Sequence, residues 1–191
     1  MFYLFTILFC MALITVINFA FSQDYTLLQF LLWTTICTVS VIAIDGIFAF
    51  VVRRLLPRKW FTVDKLNYVA DKKESRFYEK IGIKKWKDKV LELGCFTSFR
   101  KNKISEPNSL EYIERYIVEA NYGIVCHIAG ILFGFICVFC CPMPLWLRVG
   151  LPVSIVNVVL SALPTFILRY NLSKLHVLYK FNLKRSEKKV A

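Results

Sequence analysis

The chain has 191 residues, 57% of them hydrophobic, and a formal net charge of +12. With a mean hydropathy of +0.54, a single soluble globule is excluded, because a chain of this length has too little interior for so much apolar side chain. The charge crowds onto residues outside the apolar runs. It points to membrane topology and anionic lipid headgroups, and not to nucleic acid, for which no recognition motif is present.

In chain order, four segments are long and apolar enough to cross a hydrocarbon core about 30 Å thick, which takes about 20 residues. Residues 1–21 carry no charge, 25–52 carry Asp45, 124–141 carry only His127, and 145–168 carry Arg148 near their start, where it can snorkel. The first run has no positive leading region and no small-x-small cleavage site, so it reads as a retained helix. Cys10, Cys37, Cys126, Cys137, Cys140 and Cys141 fall inside these runs. Cys137-x-x-Cys140-Cys141 has half the form of a metal or redox site, but no second pair or histidine follows at ligand spacing. The thiols therefore read as small apolar groups, and no metal is expected.

Lysine and arginine set the orientation. Residues 53–123 hold seventeen basic against ten acidic residues, and 169–191 hold seven against Glu187 alone. The turns at 22–26 and 142–147 hold no basic residue. By the positive-inside rule both basic segments, and both termini, are cytoplasmic.

The segment 53–123 is too rich in aromatic and branched residues for a disordered linker. Across 83–93 the apolar positions Ile83, Trp86, Val90 and Leu93 recur at helical spacing among Lys84, Lys85, Lys87 and Lys89. That pattern predicts a basic amphipathic helix in a headgroup layer, or else a helix packed on the rest of the segment. Residues 108–123 predict a second helix, capped by Asn108 with Glu111 three positions on, and buried through Leu110, Ile113, Ile117 and Ala120. This helix can run straight into the third span. Between the two, 95–107 reads as polar and turn-like.

An ionisable group inside a span is costly and needs a reason. Asp45 stands eight residues before Arg53, and His127 three residues into the third span, so both lie in the cytoplasmic half of the bilayer. A carboxylate beside His127 can orient its ring for general-base work, or the two can form a structural bond between helices. Glu119, eight residues before His127, sits about 12 Å away along a helix and can line the same cleft without touching it. Arg169 follows the fourth span, where its fork suits a phosphate or carboxylate, though it also serves as a positive-inside anchor. No G-x-S-x-G elbow, P-loop, G-x-G-x-x-G or H-x-x-x-x-D is present.

The run Phe77-Tyr78-Glu79-Lys80-Ile81-Gly82-Ile83-Lys84-Lys85-Trp86-Lys87-Asp88 resembles the E-x-x-G…K-W-K segment of the glycosyl-4,4'-diaponeurosporenoate acyltransferases, small bacterial membrane enzymes that end staphyloxanthin-type carotenoid synthesis. Glu119 and His127 resemble that family's glutamate and histidine eight residues apart. Arg169-Tyr170-Asn171 resembles its R-Y-N after the last span. The likeness runs from about Phe77 to the C-terminus and is slight over 95–107. The arginine that commonly follows R-Y-N is absent, Leu172 and Ser173 standing there instead.

The resemblance implies transfer of a fatty acyl group to a sugar hydroxyl of a glycolipid. The expected protein is all-α, with four transmembrane helices and a helical cytoplasmic segment between the second and third. His127 is the expected base, oriented by Asp45 or Glu119. Arg169 with Tyr170, Asn171, Glu79, Lys84, Lys85 and Lys87 is expected to hold the phosphates of acyl-CoA or a similar anionic donor, and Trp86 to set the depth of the acyl chain. No cofactor is expected. The partners are membrane lipids, the donor and a lipid-linked acceptor. The rival readings are a non-catalytic lipid-binding or scaffold protein and a small transporter, the latter lacking an internal repeat.

Overall fold

The computed structural model describes residues 2–22, 24–63, 68–90 and 104–190. Among them the regular elements are all helical: α1 (Phe2–Phe21), α2 (Leu27–Leu55), α3 (Lys72–Lys80), α4 (Ile83–Trp86), α5 (Leu110–Phe133) and α6 (Leu151–Val190). Four stretches, Tyr3–Phe21, Leu27–Leu55, Leu110–Cys140 and Met143–Lys188, are long and apolar enough to cross a membrane. Phe5, Leu28, Phe50 and Leu147 are 69%, 74%, 70% and 76% exposed. In water each such side chain forfeits about 1.5–3 kcal/mol of burial free energy, whereas lipid tails are as apolar as the side chains themselves. The chain is an all-α membrane protein.

It divides into two compact units. The first comprises Met1–Val51 and Cys126–Leu163. Its core joins Phe30, Cys37 and Val41 of α2 to Cys137, Cys141, Leu145, Val149 and Val153. Cys37 Sγ donates to the Cys137 carbonyl at 3.6 Å, and Cys137 Sγ lies 3.3 Å from Ser154 Oγ. Arg148 does not merely snorkel. Its Nη1 donates to Ser22 Oγ at 2.9 Å and to Asp24 Oδ2 at 3.4 Å, while Asn18 donates to its carbonyl at 2.8 Å. The turn between α1 and α2 is thereby tied to the start of the fourth span.

The second unit comprises Val52–Val125 and Pro164–Ala191. Ile113, Tyr116, Ile117, Ala120 and Ile124 of α5 pack on Leu172 and Leu175 of α6. This apolar seam carries the helix on beyond the expected fourth span. The run of α structure continues through the polar tail to Val190, since Leu172 and Leu175 keep one side of it buried. The predicted helix at 108–123 and the third span are one α-helix that then tightens into a 3₁₀ stretch over Gly134–Cys140. Its cap is Ser109, whose Oγ accepts from the Tyr112 amide at 3.2 Å, and not Asn108.

The predicted helix at 83–93 is shorter than its periodicity suggested. A four-residue α4 passes into a 3₁₀ turn over Lys87–Lys89, and Leu93 lies outside the described residues. Ile83 and Val90 are nonetheless buried, at 0% and 3% exposure, so the apolar side of this piece packs on protein. Gly82, between α3 and α4, has φ +71°, a left-handed conformation that lets α3 stop and α4 start at a new angle.

Candidate active site

In the second unit, α3, α4 and α6 bring the most polar groups together. α3 has no apolar stripe to hold it and depends on local and tertiary bonds instead. Asp71 caps it, its Oδ1 accepting from the Glu74 amide at 2.6 Å. The Glu74 carboxylate then takes both prongs of Arg169 on α6, Nε to Oε1 at 2.5 Å and Nη2 to Oε2 at 2.6 Å. Tyr78, one turn on, donates its hydroxyl to the same carboxylate. Its ring is buried against Phe166 and Tyr170, with centroids 5.4 and 6.4 Å away. The Arg169 hydrogen bonds hold the Glu74 carboxyl below the usual carboxylate range. Burial, and then the bond to Glu74, push the Tyr78 phenol up.

One residue further along α6, and five along α3, a second contact repeats the lacing. The Tyr170 hydroxyl donates to Glu79 Oε1 at 3.2 Å, and Lys84 Nζ of α4 lies 2.9 Å from the same oxygen. Lys174 Nζ sits 4.2 Å from the Tyr170 ring centroid. The Lys84 ammonium, then the Tyr170 hydroxyl, lower the Glu79 carboxyl, and Glu79 in turn raises Lys84. The Tyr170 side chain is buried, while those of Glu79 and Lys84 are half-exposed or more. Lys85 is exposed, Lys87 and Asn171 are half-buried, and Trp86 donates its indole N–H to the Ile81 carbonyl at 3.2 Å. This is a water-facing rim with two ammonium groups around one carboxylate and one phenol, suited to an anionic group of a larger ligand.

Arg169, expected to hold a substrate oxygen pair, spends its fork on Glu74. Glu119 is paired with Arg53, Oε2 to Nη2 at 3.0 Å, and that guanidinium lies over the Tyr122 ring at 5.9 Å.

In the first unit, Asp45 and Asn157 meet between helices. Asn157 Nδ2 donates to Asp45 Oδ1 at 3.4 Å and to the Gly130 carbonyl at 3.2 Å. Two glycines of the third span make room for the pair. A Cβ at Gly130 would stand 2.9 Å from Asp45 Oδ1, and one at Gly134 2.4 Å from Asn157 Nδ2. His127 lies one turn before Gly130 on α5 and is partly buried. The expected carboxylate–imidazole pair is not formed: Asp45 is engaged by Asn157 and Glu119 by Arg53.

Glu74, Tyr78, Asn157 and Lys174 were missed from sequence. The spacing Asp71-x-x-Glu74 is a capping signature that marks the start of α3. Asn157, an amide in an apolar run, is the natural partner for an intramembrane carboxylate.

Comparison with curated proteins and with solved structures gives no match. The model of the glycosyl-4,4'-diaponeurosporenoate acyltransferase family matches residues 57–180, which include the α3–α4–α6 cluster, Glu119 and His127. The chain belongs to the glycosyl-4,4'-diaponeurosporenoate acyltransferase family and is a membrane acyltransferase of carotenoid glycolipid biosynthesis.

Proposed function

We propose that the chain transfers a fatty acyl group from an anionic acyl thioester to a sugar hydroxyl of a carotenoid glucoside or similar glycolipid at the cytoplasmic leaflet. The observation that carries this reading is the meeting of Glu79 with Tyr170, 91 positions apart, and with Lys84. Two family motif segments close on one half-exposed polar rim. Lys84 and Lys174, with Lys85 and Lys87 beside them, meet the donor's phosphates. Trp86, at the same rim, contacts the interfacial part of the donor. The seventeen and seven basic residues of the two polar segments support a cytoplasmic rim.

In the chemical step the sugar oxygen attacks the thioester carbonyl while His127 takes the hydroxyl proton. The C–O ester bond forms, the C–S bond breaks, and the proton passes from His127 to the departing thiolate. With Asp45 and Glu119 engaged elsewhere, His127 acts as a base without a carboxylate partner.

The test uses the full chain in nanodiscs with a glycolipid acceptor and acyl thioesters, the ester being read by mass spectrometry. His127→Gln should keep its melting temperature and lose about 10²–10⁴-fold in turnover. Glu79→Gln should raise the apparent donor KM, because Lys84 and Tyr170 lose the carboxylate that places them. Wild-type turnover from folded His127→Gln removes histidine from the mechanism, and no ester from the native chain with any thioester refutes the reaction.

A further inference from the structure

The segment at 83–93 is the one whose sequence pattern suits lipid headgroups, yet its Ile83 and Val90 are buried against protein. The surface that shows apolar and basic side chains together lies on the preceding helix. At helical spacing, Glu74 and Tyr78 form one row of α3, Lys73 and Phe77 the next, and Arg76 and Lys80 the third. Ile81, where the helix ends, continues the middle row. The first row faces Arg169, Phe166 and Tyr170 of α6. The middle row is open. Phe77 is 53% exposed and Ile81 40%, and Lys73, Arg76 and Lys80 are exposed around them.

The contacts of the first row set the height of this face. Phe166 belongs to the fourth apolar run, 145–168, and Arg169 is the first residue beyond it. The Tyr78 ring packs 5.4 Å from the Phe166 ring, and Glu74 holds Arg169 through both of its oxygens. α3 is thereby pinned where the hydrocarbon ends and the headgroups begin. A large apolar side chain held half-exposed to water forfeits burial free energy, which the boundary between headgroup and acyl chain supplies at this level. The charge agrees with the depth. Both acids of α3 are engaged within the protein, Glu74 by Arg169 and Glu79 by Lys84 and Tyr170. The open rows carry basic charge alone.

We propose that α3 is an interfacial anchor. Phe77 and Ile81 enter the leaflet just below its headgroups, and Lys73, Arg76 and Lys80 bind the phosphates of anionic phospholipid. A protein partner would also accept an apolar edge beside basic residues, but the depth fixed by Phe166 and Arg169 puts lipid against this one. Docking requires no acyl transfer, so it stands apart from the proposed reaction. Because Glu79 is on the same helix, the anchor also fixes the height of the polar rim over the membrane.

The test places the full chain in nanodiscs of phosphatidylcholine, alone or mixed with phosphatidylglycerol. With Phe77 replaced by the photoreactive p-benzoylphenylalanine, irradiation should add the mass of one phospholipid to the peptide carrying position 77. The same replacement at Phe181, 62% exposed but about 20 Å beyond Leu168 along α6, should add none. Amide exchange gives a second readout on native side chains. Exchange across α3 should be slower in mixed discs than in pure phosphatidylcholine. Lys73→Gln with Arg76→Gln should speed it about thirtyfold in mixed discs, roughly fivefold per charge lost, and change it little in pure phosphatidylcholine. Phe77→Ser should speed it in both.

Lipid adducts at 77 and 181 alike, or none at 77, would overturn the proposal. So would native α3 exchange that ignores phosphatidylglycerol, a result that stands even where the replacement at 77 fails to fold. Cross-linking of position 77 to protein instead of lipid in intact cells would give the face to a protein partner and overturn it equally. Failure of the acyl transfer moves neither readout.

Discussion

Breaking the Glu74–Arg169 pair should show that Arg169 acts as an architectural residue. Exposed ion pairs contribute about 0–1 kcal/mol, and losing one partner of a fully buried pair costs about 3–5 kcal/mol. Here the side chains are 26% and 27% exposed and the contact is two-pronged, which places the coupling at about 2 kcal/mol. It is measured by a double-mutant cycle of Glu74→Ala, Arg169→Ala and the double variant, with unfolding in mixed micelles followed by tryptophan fluorescence. Glu74→Gln should cost less than Glu74→Ala, because the amide oxygen still accepts from Arg169 or Tyr78. The exchange Glu74→Arg with Arg169→Glu should recover part of the loss. The sign of the pH dependence follows from the lowered Glu74 carboxyl. Its stabilisation is fully present above the unfolded value of about 4.3 and is lost as pH falls through the lower folded value. Stability from this group should thus be flat from pH 7 to 5 and decline below about pH 4, and Glu74→Gln should remove that decline. A coupling below about 0.5 kcal/mol, or turnover lost in Arg169→Ala but kept in Glu74→Ala, would refute the reasoning and return Arg169 to substrate binding.

Cysteines introduced at positions 85 and 180 should be spared by an impermeant reagent applied outside the cell, and one at position 23 modified; labelling at 85 from outside reverses the topology. Gly134→Ala should lower the melting temperature, because its Cβ would stand 2.4 Å from Asn157 Nδ2 and 3.2 Å from Val41 Cγ2, an overpacking that costs about 1–3 kcal/mol. An unchanged melt would mean that the Asn157 side chain turns away at little cost.

The membrane spans were legible because lipid asks one simple thing of a sequence, an unbroken apolar length. The buried stripe of Ile113, Ile117 and Ala120 was legible for a similar reason, its helical period surviving inside a polar segment. The extension of α6 to Val190 was not, because tail lysines mask the two leucines that hold it to α5. α3 was hidden more deeply. KKESRFYEK carries little apolar periodicity, and its stability comes from Asp71, Glu74 and an arginine 95 positions away. Asp45 was readable as needing a partner, but His127 was the nearest ionisable candidate at its depth, and the amide that meets it lay on another helix.

The use of Arg169 as a brace has a consequence for selectivity. A guanidinium fork reads the direction of two oxygens, whereas an ammonium is a compact point charge on a flexible stem. On the proposed reading, with the fork committed to Glu74, an anionic donor meets the half-exposed rim chiefly through Lys84 and Lys174. Such a rim attracts phosphate strongly but distinguishes poorly between one phosphorylated carrier and another. On the proposed reading, discrimination among donors falls to apolar contacts with the acyl tail. Such apolar contacts are not screened by salt, whereas the pull of the lysines is. Raising ionic strength should therefore weaken donor binding through the lysines while leaving the ratio of long to short chains transferred nearly constant. A ratio that moved with salt would place the discrimination at the charged rim.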